Sequence, residues 1–266
     1  MRYFIKLSYN GTRYHGWQQQ PNAVSIQETL NKVLSTILNT TINCMGAGRT
    51  DTGVHARLMY AHFNYEYDIN TPTTIHKLNS FLPKDIAVFD ILQVSDDAHA
   101  RFDAKSRTYE YHIATQKNVF EDDFSWTLLQ KLNLDLMNQA SSLLLNYTDF
   151  ECFSKVHTDV ATFNCKILEA NWVQTDNKII FTITADRFLR SMVRAIVGTI
   201  INVGLEKVSL LDFMAIIESK DRKKAGFSVP AKGLFLTKIE YEYLDFEIID
   251  KEMKEKRKKK KENRKI

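Results

Sequence analysis

Apolar residues recur with two distinct periods along the chain, and the changes of period divide it into elements. Tyr3, Ile5, Leu7 and Tyr9 alternate with polar neighbours, as a half-buried strand does. Residues 10–24 break the alternation with turn-forming and polar residues. Ser25 then opens a helix whose apolar face is Ile26, Leu30, Val33, Leu34, Ile37 and Leu38, with Glu28 placed to complete a capping box. A short strand is predicted near 42–45 and a longer one over 58–67, flanking a loop that contains glycines. A second helix over 73–82 stops before Pro83, because the residue preceding proline is pushed out of the helical region. Strands follow at 86–94 and 105–115.

The second half repeats the order of elements, though not the residues themselves. A helix over 134–145 precedes strands at 165–174 and 178–185. Two helices come next, 187–203 and 210–219, the latter behind the capping pair Ser209 and Asp212. A last strand spans 234–243. The pattern is that of an α+β chain of two similar halves, 1–104 and 105–246, with helices laid on largely antiparallel sheets.

Composition adds compartment and charge. Apolar residues make up 44% of the 266 positions, which marks a folded protein with enough chain for one large core or two modest ones. The N-terminus lacks the apolar core of a signal peptide, and the longest apolar run, 195–205, is too short to span a bilayer. Cys44, Cys152 and Cys165 are odd in number and widely spaced, as suits reduced thiols. These features predict a soluble, cytoplasmic protein. No HExxH or CxxC pattern is present, so no metal site is expected. The net charge of +4 is misleading, because residues 251–266 carry ten Lys/Arg against three Glu. Without them the net charge is −3, so any nucleic acid must be held by local basic clusters rather than by overall charge. Residues 247–266 read as a Lys-rich solvated tail, with a salt-sensitive RNA-binding arm as the functional alternative.

Three segments carry candidate chemistry. The first is Gly46-Ala47-Gly48-Arg49-Thr50-Asp51-Thr52-Gly53-Val54-His55-Ala56. It fails as a dinucleotide loop, because Asp51 stands where a glycine is needed. It fails as a Walker loop, because Val54-His55 stands where Lys-Ser/Thr is needed. What remains is a bend between strands with Arg49, Asp51, His55 and Arg57 in close sequence; an ordinary Asx-turn would need only Asp51. The second runs from Arg101 to Tyr111 and interleaves cations with aromatics, a pattern suited to phosphates and to an exposed base. Tyr111 and Ile113 read as core, while Tyr109 begins the strand and can emerge into a cleft. The third runs from Asp186 to Gly198. On one helix, Arg187, Arg190 and Arg194 would share a face. Arg194 stands among Val193, Ala195 and Ile196, and an arginine in such surroundings calls for an anionic partner.

Taken together and in this order, the three segments resemble the TruA family of tRNA pseudouridine synthases. The similarity runs from Tyr9-Asn10-Gly11-Thr12-Arg13-Tyr14-His15-Gly16-Trp17 to Gly233-Leu234-Phe235-Leu236 and covers all but the tail. Its most specific parts are Gly48-Arg49-Thr50-Asp51-x-Gly53-Val54-His55-Ala56 and Met192-Val193-Arg194-x-Ile196-Val197-Gly198. Departures are Asn10 for aspartate, Thr52 for alanine, and Gly226-Phe227-Ser228-Val229-Pro230-Ala231 for a segment usually read Gly-Pro-Thr-Ala-Pro.

The resemblance implies the pseudouridine synthase fold with a central catalytic cleft. It implies isomerisation of uridines at tRNA positions 38, 39 and 40 of the anticodon stem-loop, a homodimer, and neither cofactor nor metal. It makes Asp51 the catalytic carboxylate, Tyr109 the ring on the uracil, Arg194 the partner of Asp51, Leu234 a pocket residue, and Arg49 and Arg101 part of the RNA-facing surface. The chemistry agrees, since moving the C1′ bond from N1 to C5 gains and loses no atoms. Three roles stay open for Asp51: attack on the sugar, attack on the ring, or removal of a sugar proton. Three other functions are also open: a non-catalytic RNA-binding protein, a glycosylase releasing free uracil, and a synthase of the same family acting at other RNA positions.

Overall fold

A computed structural model describes residues 1–155 and 160–244; the Lys-rich tail lies outside the described residues. Among the described residues nine strands form one sheet in the order β4-β1-β3-β9-β5-β8-β7, with β2 on β3 and β6 on β5. The strands are β1 Arg2–Tyr9, β2 Met45–Gly46, β3 His55–Asn64, β4 Ile86–Val94, β5 Ala104–Ala114, β6 Trp126–Thr127, β7 Ile167–Gln174, β8 Lys178–Ala185 and β9 Leu234–Tyr241. The helices are α1 Ile26–Leu38, α2 Thr71–Phe81, α3 Leu134–Leu143, α4 Met192–Gly204 and α5 Leu210–Glu218. The architecture is α+β and the sheet mainly antiparallel, as the periodicity predicts.

Two cores lie along this sheet. One joins β1, β3 and β4 to α1 and α2 through Ile5, Leu7, Leu30, Leu34, Met59 and Leu78. The other joins β5, β7 and β8 to α3, α4 and α5 through Tyr111, Phe181, Met137, Ile196 and Phe213. The last strand sews them together. β9 runs parallel to β3 (His55 opposite Phe235, Ala56 opposite Leu236) and antiparallel to β5. It gives Leu236, Ile239 and Tyr241 to the first core and Leu234 to the second.

Local signals set most boundaries. Ser25 Oγ accepts the Glu28 N–H at 3.2 Å and starts α1. Asn70 caps α2, and Leu82 turns extended before Pro83. Ser209 and Asp212 form the reciprocal box of α5.

Other boundaries differ from the sequence expectation. β2 covers only Met45–Gly46, and β3 begins at His55, three residues before the predicted start. The larger correction concerns α4, which begins at Met192 rather than at residue 187. Ser191 sits in the left-handed region (φ 60°, ψ 9°), so a right-handed helix cannot run through it. Arg187 and Arg190 therefore lie in the segment before the helix and share no helical face with Arg194. All three cysteines are free and buried. No helix among the described residues is long and apolar enough to cross a membrane.

Candidate active site

The Asp51 loop joins β2 to β3 and is held from behind by residues 10–17. Trp17 N–H donates to the Thr50 carbonyl (3.3 Å), and Gly53 N–H donates to the Tyr14 carbonyl (3.2 Å). Beneath the loop the Tyr9 and Thr50 hydroxyls share a buried hydrogen bond of 2.9 Å. Contact this close explains two glycines of the N-terminal motif. A Cβ on Gly11 would stand 2.0 Å from the Val54 carbonyl oxygen, and one on Gly16 2.2 Å from that of Thr50. Gly16 also has φ +83°. The clamp is anchored in turn by Asp85, which accepts from Arg13 Nη2 (2.6 Å) and from the Tyr14 hydroxyl (2.7 Å).

His55, four residues after Asp51, is fully enclosed. Its Nδ1 accepts the Gly11 N–H at 3.1 Å, which places the ring proton on Nε2, 3.1 Å from the Lys232 carbonyl that it meets. Phe235 stacks on the ring at 4.7 Å. Burial lowers the imidazole pKa from its ordinary value, in keeping with a neutral structural ring. His55 thus ties the 10–17 loop, the Asp51 loop and the start of β9 together.

Asp51 makes none of the short-range bonds of an Asx-turn; its side chain reaches across the molecule. Oδ2 accepts from Arg194 Nη1 at 3.2 Å and from the Ser191 hydroxyl at 2.8 Å. Asp51 and Arg194 keep side-chain exposures of 22% and 20%, so the pair is sheltered yet open to a ligand on one side. Arg194 lies in the first turn of α4, a helix with eleven of its thirteen residues buried. Its guanidinium is aimed by Nε donating to the Val229 carbonyl at 2.7 Å, while Val229 N–H returns to the Arg194 carbonyl at 3.2 Å. The 226–231 segment therefore acts here through main-chain groups, which is why its departure in side chains leaves Arg194 supported.

Tyr109 lies in the middle of β5 rather than at its start, opposite Ile183 of β8 and Leu236 of β9. A register shift at Thr108/Tyr109 falls there, and the ring packs partly against both cores. It meets Phe188 edge-to-face at 5.2 Å. Burial pushes its phenol pKa up to about 12; Arg107 opposes the rise and the charge of Asp51 adds to it. A phenol this hard to ionise stays protonated at neutral pH. Tyr111 and Ile113 are core, as predicted, and the Tyr111 hydroxyl donates to the Pro230 carbonyl at 2.9 Å.

The remaining predicted residues are spread more widely. Leu234 opens β9 opposite Tyr111, 5% exposed in the second core. Arg49 is exposed in the Asp51 loop, with no side-chain partner among the described residues. Arg101 is also exposed, its guanidinium 5.5 Å from the centre of the Phe102 ring. His99 Nδ1 shapes that loop by accepting the N–H groups of Arg101 (3.1 Å) and Phe102 (3.2 Å).

Two residues with parts to play carry little sequence signal. Ser191 looks like an ordinary surface serine. Arg107, read as one of a run of cations, turns inward. Its guanidinium donates to the carbonyls of Ala104 (3.0 Å), Asp186 (2.8 Å), Ala47 (3.0 Å) and Arg101 (2.5 Å). A cavity of about 270 Å³ lined by Tyr9, His55, Arg57, Phe124 and Phe235 includes none of Asp51, Tyr109 and Arg194. Its lining holds no carboxylate.

Comparison with known proteins shows the family to which this fold and site belong. Residues 140–242 match a family model described as tRNA pseudouridine synthase. The chain is 52% identical over 242 residues to tRNA pseudouridine synthase A of Bacteroides fragilis, covering 90% of this chain and 96% of that one. It is 51% identical to the Bacteroides thetaiotaomicron protein of the same name over 90% of each chain. The Clostridium acetobutylicum protein of that name is 41% identical over 89% of this chain and 98% of its own. The chain belongs to the tRNA pseudouridine synthase A family.

Proposed function

We propose that the protein isomerises uridine to pseudouridine in the anticodon stem-loop of tRNA, at positions 38, 39 and 40, with Asp51 as the catalytic carboxylate. One observation carries the reading: Asp51, from the loop between β2 and β3, meets Arg194, from the first turn of α4, beside the Tyr109 ring. A paired cation favours the carboxylate form that nucleophilic or basic action requires. Tyr109 stacks on the uracil while the N1–C1′ bond breaks, N1 keeping the electron pair, and C5 joins C1′; C5 then releases its proton and N1 takes one up. Leu234 closes the apolar side of the pocket. A stem uridine has to leave its duplex, at a cost of about a few kcal/mol. Arg49 and Arg101, exposed in the described structure, offset that cost by contacting phosphates. The enzyme works in the cytoplasm as a homodimer without metal or cofactor. The first half of the chain brings Asp51 to the cleft, and the second half brings Tyr109, Arg194 and Leu234.

The test is tritium release from unmodified tRNA labelled at uridine C5, without added metal or nucleotide. Wild type is expected to turn over. Asp51→Ala is expected to lose turnover by at least three orders of magnitude and to retain tRNA binding, on the scale of removing a group essential to the chemical step. Substantial turnover by Asp51→Ala refutes the assignment. Sequencing the product for pseudouridine at positions 38–40 tests the choice of site.

A further inference from the structure

We infer that Ser191 is a positioning residue that locks the Asp51 carboxylate with Oδ2 turned inward and Oδ1 facing the uridine; the inference rests on Asp51 being the catalytic carboxylate. Oδ2 receives both donors, the Ser191 hydroxyl at 2.8 Å and Arg194 Nη1 at 3.2 Å, and the serine bond is the shorter. Oδ1 has no hydrogen-bond partner among the described residues. An aspartate swings about its Cβ–Cγ bond, and two donors from different directions on one oxygen stop the swing. A fixed reacting oxygen is where orientation contributes to rate.

Two independent features of Ser191 support this role. The first is what its side chain does not do. Ser191 holds the N-cap position of α4, where a serine hydroxyl ordinarily accepts an N–H of the first turn, yet α4 has no side-chain cap hydrogen bond. The hydroxyl is spent on Asp51, 140 residues away in sequence. The second is the backbone. At φ 60° and ψ 9° the position suits glycine or asparagine, and a serine is held there only where its surroundings fix it. The left-handed turn also ends the 187–190 segment and starts α4, so the same residue sets where Arg194 begins its reach. Ser191 and Arg194 form one two-pronged clamp on Oδ2.

The backbone conformation dictates the experiment. Ser191→Gly removes the hydroxyl at a position glycine adopts without strain, and Ser191→Asn keeps an N–H donor on a residue that tolerates the same conformation. Both are compared with wild type and Asp51→Asn in the full chain, by steady-state tritium release, tRNA binding and thermal melting. Ser191→Gly is expected to lower kcat about tenfold, the scale of one hydrogen bond to a charged group, with KM and tRNA Kd within about twofold of wild type. Ser191→Asn is expected to recover most of that loss. A Ser191→Gly enzyme with kcat within about twofold of wild type overturns the inference. So does a loss that asparagine fails to recover, or one appearing wholly in KM. Asp51→Asn separates the two readings: if it turns over normally, Asp51 is not the catalytic group, whatever the Ser191 variants do.

Discussion

Arg107→Met keeps the length of the side chain on β5 and removes the guanidinium that reaches the carbonyls of Ala104, Asp186, Ala47 and Arg101. These four groups belong to the start of β5, the approach to α4, the approach to the Asp51 loop and the Arg101 loop, so one fork braces four segments near the site. At about 1 kcal/mol net per bond the expected loss is about 4 kcal/mol. Burial lowers the Arg107 pKa from its ordinary value, the sign of a desolvation cost that methionine does not carry. The net figure per bond already contains that cost, so the expected destabilisation stays at about 4 kcal/mol. A 266-residue chain unfolds with an entropy of about 0.56 kcal/mol/K, so Tm should fall by about 7 °C. Thermal melting followed by circular dichroism reads this directly. A salt series of tRNA binding separates brace from RNA contact, because each lost phosphate contact lowers the slope of log K against log salt by about 0.7–0.9. The brace predicts a lower Tm, reduced kcat and an unchanged slope. A variant that melts within about 1 °C of wild type while its slope drops by one contact refutes it.

Two further outcomes follow from the same structure. His62 is buried, accepts the Ala100 N–H on Nδ1 at 3.1 Å, and has its pKa lowered to about 4, first by burial and then by the neighbouring His99 and Arg2. Its folded-state pKa lies below the unfolded value of 6.5, so its share of stability is complete above pH 6.5 and is lost as pH falls towards 4. Urea midpoints should decline over that window in wild type and much less in His62→Asn; parallel curves would contradict the assignment. Gly11→Ala should cost about 3 kcal/mol or prevent folding, because its Cβ would meet a carbonyl oxygen at 2.0 Å. Gly48→Ala, with nothing within 4 Å of its Cβ, should stay within about 1 kcal/mol of wild type by the same melting assay, and equal effects at both glycines would refute the clamp.

Much of the fold was legible because its signals are local. The apolar face of α1 behind Ser25, the stop of α2 at Pro83, the box at Ser209 and Asp212, and the alternation of β8 each depend on residues a few positions apart. The start of α4 was not legible. Leu189, Met192, Val193 and Ile196 keep a helical spacing across Ser191, and no residue type there announces a left-handed turn. Nor does the amphipathic pattern of β3 mark its true start, which is set by the pairing of His55 and Ala56 with β9 from the far end of the chain.

The segment around Asp51 could be singled out from the sequence alone, because a loop with that order of glycines, arginine and aspartate fits neither phosphate-binding motif and resembles one family. The sequence also showed that Arg194, amid apolar neighbours, needs an anion. The family resemblance already implied that Asp51 is that anion; only the tertiary structure decided that Ser191 shares its Oδ2 and that Arg107 faces inward rather than towards RNA. The physical reason is range. Propensity and periodicity record interactions over one or two turns, whereas these contacts join residues 60 to 143 positions apart. They exist only once β9 has closed two cores into one sheet.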